Sequence, residues 1–280
     1  MERAFPEKPI PGQYFVQPEY EPLLLANQLV DAKGILSLAG GIVVRSVPGR
    51  TTRRIELKSP DGTVLAVYLK CFEYSPPWSE RWLDRGGRRE AGRAALNEWH
   101  QLLALRQLGF RTAAPIAAGW QPVGNAGAIQ CFILTAEIVG AVSGYQYWAA
   151  SGEARHRVLI RRIADLARRF HAAGFIHKDF YLDHLFVAER DGEPEVTLID
   201  LQRVLGPRRF RERWLVKDFG SILFSLERAG VKRAGLFRVF KLYLGGRRAG
   251  AADRRFLWKC LRKAARLHRH RPKYGEPGTM

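Results

Sequence analysis

The sequence has 280 residues, 46% of them hydrophobic, which is ample for the packed core of one large domain or two small lobes. Lys and Arg (46) outnumber Asp and Glu (27), and the formal net charge of +19 at pH 7 favours an anionic partner. Cys71, Cys131 and Cys260 are far apart and lack metal-site spacing, so we expect buried thiols in a reducing compartment rather than a disulfide framework.

The start of the sequence lacks the pattern of a secretory signal peptide, because its first residues combine acids with prolines and show no basic-then-apolar order. Residues 112–136 are uncharged, but prolines, glycines and polar residues divide them into two strands and a turn, not a membrane span. We therefore expect a cytoplasmic protein. Residues 1–34 are interpreted as a Pro-rich lead-in whose apolar segment, Leu23–Val30, packs on the first lobe.

The first predicted hairpin joins two short apolar runs, Ile42–Val44 and Ile55–Leu57, through a polar turn over residues 45–52. Backbone N–H groups and polar side chains at such a turn can contact phosphate, and a solvated hairpin tip is the alternative interpretation. The candidates at this turn are Gly49, Arg50 and Thr51.

A strand pattern over residues 63–70 ends on Lys70, and a helical apolar stripe downstream carries Glu98. We expect these two side chains to pair. Glu90 is the alternative partner of Lys70, less favoured because it lies outside the stripe. Between strand and helix, residues 74–89 form a basic insertion with aromatic residues, interpreted as a lid, a docking loop or a loop without function.

The apolar run Cys131–Ile138 predicts a buried strand that leads into the connection between two lobes. If this part of the chain binds a nucleotide, the adenine would hydrogen-bond to the backbone near Glu137. The alternative is a core strand without a ligand. Residues 35–137 are strand-rich with one long helix, whereas residues 138–280 are helix-rich apart from one hairpin. This order predicts a two-lobed α+β fold, with a nucleotide cradle in the first of these ranges.

The most informative motif is His177-Lys178-Asp179, which is followed by His184 and then by a predicted hairpin that ends on Asp200. A helical pattern upstream, ended by Gly174, delivers this motif. The hairpin would fold the chain back and bring Asp200 close to Asp179 and His184. A turn with a buried ion pair is the alternative for His-x-Asp alone, but the second aspartate makes it much weaker.

Phosphoryl transfer needs one carboxylate near the acceptor hydroxyl and another on the metal ions that neutralise the phosphate charge. Asp179 and Asp200 fit these two roles, so the sequence predicts a kinase that uses ATP and Mg²⁺. Only about 15 residues separate Asp200 from the next helical pattern near Val216, and no Ala-Pro-Glu follows. A small or glycan acceptor is therefore favoured over a protein.

With these residues in view, the sequence resembles the Kdo/WaaP family of lipopolysaccharide core kinases, which have a protein-kinase-like fold and phosphorylate inner-core sugars with ATP. The resemblance is densest at residues 177–184 and covers most of residues 40–225. It continues in Leu198–Arg203, Trp214, Lys217-Asp218, Arg50–Thr52 and Asn97–Trp99.

The resemblance implies that Asp179 is the catalytic base, Asp200 a magnesium ligand, Lys70 the phosphate-binding lysine and Glu98 its partner. His184 stands where protein kinases have Asn, so the resemblance makes it a metal ligand. Because magnesium prefers oxygen ligands, the alternative is that His184 orients Asp179 or a metal-bound water. Three further residues are expected to support this loop: His177, Arg203 and Asp218. For Lys217-Asp218 the alternative is a surface ion pair.

The expected function is phosphorylation of a heptose or Kdo hydroxyl on lipopolysaccharide inner core, or on a similar lipid-linked glycan, at the inner face of the cytoplasmic membrane. The alternatives are an aminoglycoside- or choline-type small-molecule kinase and a non-catalytic pseudokinase. Basic clusters favour an anionic membrane surface over nucleic acid, because no nucleic-acid-binding module accompanies them. A GC-rich genome is the alternative origin of the Arg content. The sequence makes no prediction of oligomeric state.

Overall fold

The structure is a computed structural model that describes residues 14–74, 86–123, 128–209 and 211–269, without the side chains of residues 74 and 86–94. The chain forms two compact units, Met1–Glu137 and Ile138–Met280. The first is rich in strands and the second in helices, which confirms the predicted α+β class. Most of the predicted basic insertion lies outside the described residues.

The first unit is built on a six-stranded antiparallel sheet with the strand order β1-β5-β6-β4-β3-β2. Its strands are β1 (Tyr14–Val16), β2 (Ile42–Val47), β3 (Arg50–Lys58), β4 (Val64–Tyr74), β5 (Pro115–Val123) and β6 (Ala128–Ala136). Its helices are α1 (Glu21–Ala26), α2 (Ala32–Leu36) and α3 (Gly86–Gln107).

The central strand β4 has a different environment on each of its two faces. Val67, Leu69 and Cys71 lie in the buried cluster to which the segments around α1 and α2 contribute. Because successive strand residues point to opposite faces, Lys70 faces the other way, and α3 contacts β4, β5 and β6. The alternation along β4 therefore determines which side chain can meet α3.

One sequence prediction in this unit was wrong in detail, and one strand was missed. The polar turn expected over residues 45–52 is much shorter, since β2 runs to Val47 and β3 begins at Arg50. Gly49 supplies the positive φ (73°) that this tight connection needs, and β-branched residues on both sides favour strand pairing. The lead-in also contains β1, which pairs with β5. Three residues are too few to show an alternation in the sequence.

Across its described residues, the second unit combines five α-helices with a three-stranded sheet in the order β7-β8-β9. The strands are β7 (Val142–Ser143), β8 (Leu185–Arg190) and β9 (Glu193–Leu198). The helices are α4 (Gly144–Ala150), α5 (Glu153–Ala172), α6 (Glu212–Arg228), α7 (Arg233–Tyr243) and α8 (Ala251–Arg269). Helix α5 packs on α7 and β9, and α6 packs on α8.

The predicted hairpin after the His-x-Asp motif is present as β8 and β9. Asp191 and Gly192 connect the strands with φ values of 50° and 75°, as expected for a two-residue hairpin turn. Helix α6 begins at Glu212, earlier than the pattern near Val216 indicated. None of the helices within the described ranges is long and apolar enough to span a membrane.

Candidate active site

A loop over residues 173–181, which we call the Asp179 loop, follows α5 and carries the His-x-Asp motif. Phe175, Ile176 and Phe180 on this loop are fully buried, so apolar packing fixes its path. The backbone of Ile176 also exchanges two hydrogen bonds with Leu205, at 2.9 and 2.8 Å. The loop is thus held on both sides of Asp179.

Asp218 on α6 stabilises this loop from beneath. Its side chain is 0% exposed and accepts the backbone N–H groups of His177 and Lys178 at 2.5 and 2.7 Å. Lys178 has a positive φ of 71°, a conformation that is unfavourable for an L-residue, so the surrounding hydrogen bonds must hold it. The surface ion pair considered for Lys217-Asp218 is therefore wrong for Asp218, which is a buried brace.

His177 ties the Asp179 loop to the end of β9. Its ring is fully buried, and Nε2 lies 3.2 Å from the carbonyl oxygen of Ile199, the residue before Asp200. Burial, and then the neighbouring His184, lower the pKa of His177 below its ordinary value. A neutral ring that donates from Nε2 fits this position, since the carbonyl can only accept.

The hairpin brings Asp179, His184 and Asp200 together, as the sequence predicted. His184 Nδ1 lies 2.7 Å from the backbone oxygen of Asp179, and its Nε2 lies 3.7 Å from Asp200 Oδ2. Because that backbone oxygen can only accept, Nδ1 donates to it, and Nε2 lies on the side of the ring that faces Asp200. Asp200 itself has left-handed backbone angles (φ 56°, ψ 57°), so its carboxylate leaves the line of the strand.

Arg203 contacts the Asp179 carboxylate directly. It lies on the short 3-10 turn that follows Asp200, and its Nη1 lies 3.0 and 2.8 Å from the two carboxylate oxygens. The charged contact orients the carboxylate, while the 54% exposure of the Arg203 side chain leaves it accessible to solvent. The sequence named Arg203 as a supporting residue but did not indicate which group it contacts.

In the first unit, Lys70 and Glu98 form the ion pair that the apolar stripe predicted. Lys70 Nζ lies 2.6 Å from Glu98 Oε1, and the two side chains are 15% and 3% exposed. A pair this buried is geometrically fixed and desolvated, unlike a surface salt bridge. The side chain of Glu90, the alternative partner, lies outside the described residues.

Glu137 directly follows β6, and its side chain is hydrogen-bonded within the first unit. Arg54 donates to both carboxylate oxygens at 2.7 and 3.0 Å, a hydrogen-bonded contact that holds the pKa of Glu137 below its usual range. Its backbone N–H donates to Ala66 at 2.9 Å. Of the two backbone groups of Glu137, the carbonyl oxygen is therefore the one that can bond to a ligand. The sequence missed Arg54, whose one signal was its place two residues from Glu56 on a common strand face.

The three candidates at the first hairpin lie in its turn and its second strand. The carbonyl oxygen of Gly49 accepts from Glu73 at 2.8 Å, and the Arg50 guanidinium lies 5.4 Å from the centre of the Phe72 ring. Thr51 lies opposite Ser46 within the ladder of β2 and β3. Only the connection at Pro48-Gly49 is a turn, and Arg50 packs over the sheet rather than extending from a solvated tip.

A carboxylate loop, a second carboxylate after a hairpin, and a strand lysine paired with a helix glutamate are together the side-chain set of a kinase. A family model described as the lipopolysaccharide kinase (Kdo/WaaP) family matches residues 88–243, more than half of the 280 residues, and the chain belongs to this family. The protein is accordingly a phosphotransferase that acts on an alcohol group, with ATP as the donor its family implies.

Two similar proteins are both named lipopolysaccharide core heptose(I) kinase WaaP. The one from Escherichia coli strain K12 is 28% identical over 241 residues, covering 80% of this chain and 86% of the relative. The one from Pseudomonas aeruginosa is 26% identical over 250 residues, covering 84% and 90%. A solved structure of WaaP in complex with acyl carrier protein has a TM-score of 0.66 at 22% identity, covers 91% of this chain and 99% of that chain, and confirms the kinase-like fold.

Proposed function

We propose that this kinase transfers the γ-phosphoryl group of ATP to a heptose hydroxyl of the lipopolysaccharide inner core. The convergence of Asp179, His184 and Asp200 at one end of the β8–β9 hairpin carries the chemical part of the proposal. The choice of heptose is supported by the relatives, which are named heptose(I) kinases and which this chain matches over most of its length.

In this proposal Asp179 is the catalytic base that accepts the proton of the acceptor hydroxyl. Arg203 holds its carboxylate in one orientation, and Asp218 fixes the backbone just before it through His177 and Lys178. Because phosphoryl transfer is catalysed mainly by positioning and electrostatics, a base fixed in one orientation is what the reaction requires.

Asp200 and His184 are the proposed Mg²⁺ ligands. The residues fit the ion in part: a carboxylate is a preferred ligand, and Nε2 of His184 lies 3.7 Å from the Asp200 carboxylate. No group of three or more His, Cys, Asp or Glu within the described ranges forms a metal cluster. Magnesium is commonly held by one or two carboxylates together with waters and substrate phosphates. When bound, the ion would neutralise charge on the phosphates.

Lys70, oriented by Glu98, is the proposed ligand of the α- and β-phosphates, with Gly49, Arg50 and Thr51 as further phosphate contacts and the Glu137 carbonyl oxygen as an adenine contact. The buried Lys70–Glu98 pair supports the first assignment, since an ammonium held at one place can complement phosphate charge without reorganising. The engaged N–H of Glu137 supports the choice of its carbonyl for the base.

Replacing Lys70 with Met should weaken ATP binding by about 10- to 100-fold, because a charge-assisted hydrogen bond contributes roughly 1.5–3 kcal/mol. Titration with a fluorescent ATP analogue measures this directly. The matched control is Lys58→Met on β3 of the same sheet, which removes an exposed ammonium and should leave ATP affinity within about twofold. Equal affinity for ATP in the wild type and Lys70→Met would disprove the assignment.

We further propose that the protein acts at the inner face of the cytoplasmic membrane as a peripheral enzyme. Its net charge of +19 supports attraction to an anionic surface, where each nearby Lys or Arg contributes roughly 1 kcal/mol. A lipid-linked acceptor would be presented at that surface. The proposed location and the proposed acceptor therefore support each other.

Transfer of ³²P from ATP to a panel of acceptors tests the proposed function. We expect label on lipopolysaccharide whose core heptoses carry no phosphate, and none on lipopolysaccharide truncated to its Kdo residues. Label on the truncated form would instead make Kdo the acceptor. Label only on a free aminoglycoside or choline would move the protein to the small-molecule kinases.

A further inference from the structure

A basic groove between α6 and α8 lies in the second unit and has no role in the function proposed so far. It encloses about 440 Å³. Its lining includes six cationic side chains from the two helices: Arg213, Lys217, Lys259, Arg262, Lys263 and Arg266.

The two helices approach closely enough to make this groove a defined feature. A Cβ atom added to Gly220 on α6 would lie 2.8 Å from Cγ of Lys263 and 3.1 Å from the Cys260 carbonyl oxygen on α8. The absence of a side chain at Gly220 thus allows the stem of Lys263 to pack against α6. Residues 259, 262, 263 and 266 recur every three or four positions, so one face of α8 presents cations along roughly 10 Å.

The charge of the groove is poorly balanced by its own lining. Glu212 is the one acid among the described lining residues, and its carboxylate is paired with Lys259 at 2.7 Å. Like charges gathered in a concave, partly desolvated site repel one another and concentrate anions from solution. Burial also lowers the pKa of Lys217, as expected for an ammonium withdrawn from water without full compensation.

The groove lies beside the Asp179 loop. Lys217, in its lining, directly precedes Asp218, whose carboxylate holds the backbone of His177 and Lys178. Burial lowers the pKa of Lys217, and the nearby Asp179 carboxylate partly offsets this lowering. When an anionic group of a molecule binds in the groove, an adjacent part of the same molecule would therefore lie near the Asp179 carboxylate.

Guanidinium and ammonium groups together favour phosphate, which Arg can bind with two parallel hydrogen bonds. We propose that the α6–α8 groove binds phosphate groups that the glycan acceptor already carries, and so positions a neighbouring sugar hydroxyl at Asp179. The proposal rests on the proposed function and adds to it a residue set that selects an already phosphorylated acceptor.

The test compares two acceptors and two double variants. The acceptors are a fully deacylated core oligosaccharide that keeps its phosphates but has none on heptose, and the same oligosaccharide dephosphorylated with hydrofluoric acid. Lys263→Gln/Arg266→Gln removes two groove cations. Arg238→Gln/Lys241→Gln removes the same two charges from exposed positions on α7 and serves as the matched control.

For the phosphorylated acceptor, we expect the groove variant to raise KM by about 10-fold or more with kcat within about twofold, and the control to match the wild type. For the dephosphorylated acceptor, the wild type should already have the high KM, and the groove variant should change it less than about twofold. An equal KM change for both acceptors, or no change for either, would overturn the proposal.

Two further measurements distinguish this proposal from a failure of the proposed function and from membrane binding by the groove. If the wild type labels neither oligosaccharide, labelling of intact lipopolysaccharide decides whether the proposed function holds. Calorimetric titration of the phosphorylated oligosaccharide without ATP then tests the groove alone: binding weakened about 10-fold in the groove variant supports it, and unchanged binding overturns it. Sedimentation with phosphatidylglycerol vesicles tests a lipid source of phosphate. Loss of vesicle binding in the groove variant with an unchanged oligosaccharide KM would assign the groove to the membrane and overturn the proposal.

Discussion

Replacing Asp179 with Asn should lower kcat by about 10²- to 10⁴-fold, the usual contribution of a general base, while ATP affinity stays within about twofold. Asn has the same shape and keeps one oxygen for the Arg203 contact, so the loop should retain its path. Its amide cannot accept the proton of the acceptor hydroxyl at neutral pH. Single-turnover ³²P transfer measures the chemical step, and titration with a fluorescent ATP analogue measures nucleotide binding.

Asp191→Asn in the β8–β9 turn is the matched control for this substitution. Asp191 is exposed and has a φ of 50°, a conformation that Asn accepts readily, so activity and stability should not change. If Asp179→Asn retained more than about a tenth of the wild-type kcat, proton transfer to Asp179 would not be part of the mechanism. A loss of ATP binding in the same variant would indicate instead that the loop had rearranged.

The sequence predicted those parts of the site that depend on local patterns, such as helical periodicity, strand alternation and turn residues. A helical stripe marked the face of α3 that carries Glu98, and strand alternation in β4 set the direction of Lys70. The turn signal at Asp191-Gly192 predicted the return of the chain that places Asp200 near His184. Each pattern spans fewer residues than one element, so it needs no knowledge of distant packing.

The parts that the sequence left open depend on contacts between distant residues. Arg54 and Glu137 are separated by 83 positions, and no periodicity connects a charged residue on β3 with one that follows β6. Arg203 is equally ambiguous in sequence, because an arginine in a basic chain gives no sign of which carboxylate it meets. β1 was missed for a related reason: a three-residue strand is defined by its partner β5 and not by its own pattern.

Asp218 is the clearest case, since in sequence it forms an ordinary Lys-Asp pair and in the structure it is 0% exposed. Replacing it with Ala should destabilise the protein by about 2–5 kcal/mol, because the buried N–H of His177 and the partly buried N–H of Lys178 lose their acceptor. The midpoint of urea unfolding measures this loss. The kcat should fall as well, since the positive φ of Lys178 would no longer be held by its hydrogen bond.

Two variants make the Asp218 result specific. Asp218→Asn keeps the side-chain volume but has one oxygen for two donors, so its loss of stability measures the missing acceptor rather than a cavity. Asp165→Ala on α5 removes an exposed partner of Arg168 and Arg169 and should cost less than about 1 kcal/mol. If Asp218→Ala unfolded at the wild-type urea concentration with full kcat, apolar packing and the Ile176–Leu205 hydrogen bonds would be enough to hold the loop without Asp218. A kcat loss that exceeds the loss of folded protein would instead show that Asp218 acts on catalysis by fixing the backbone before Asp179.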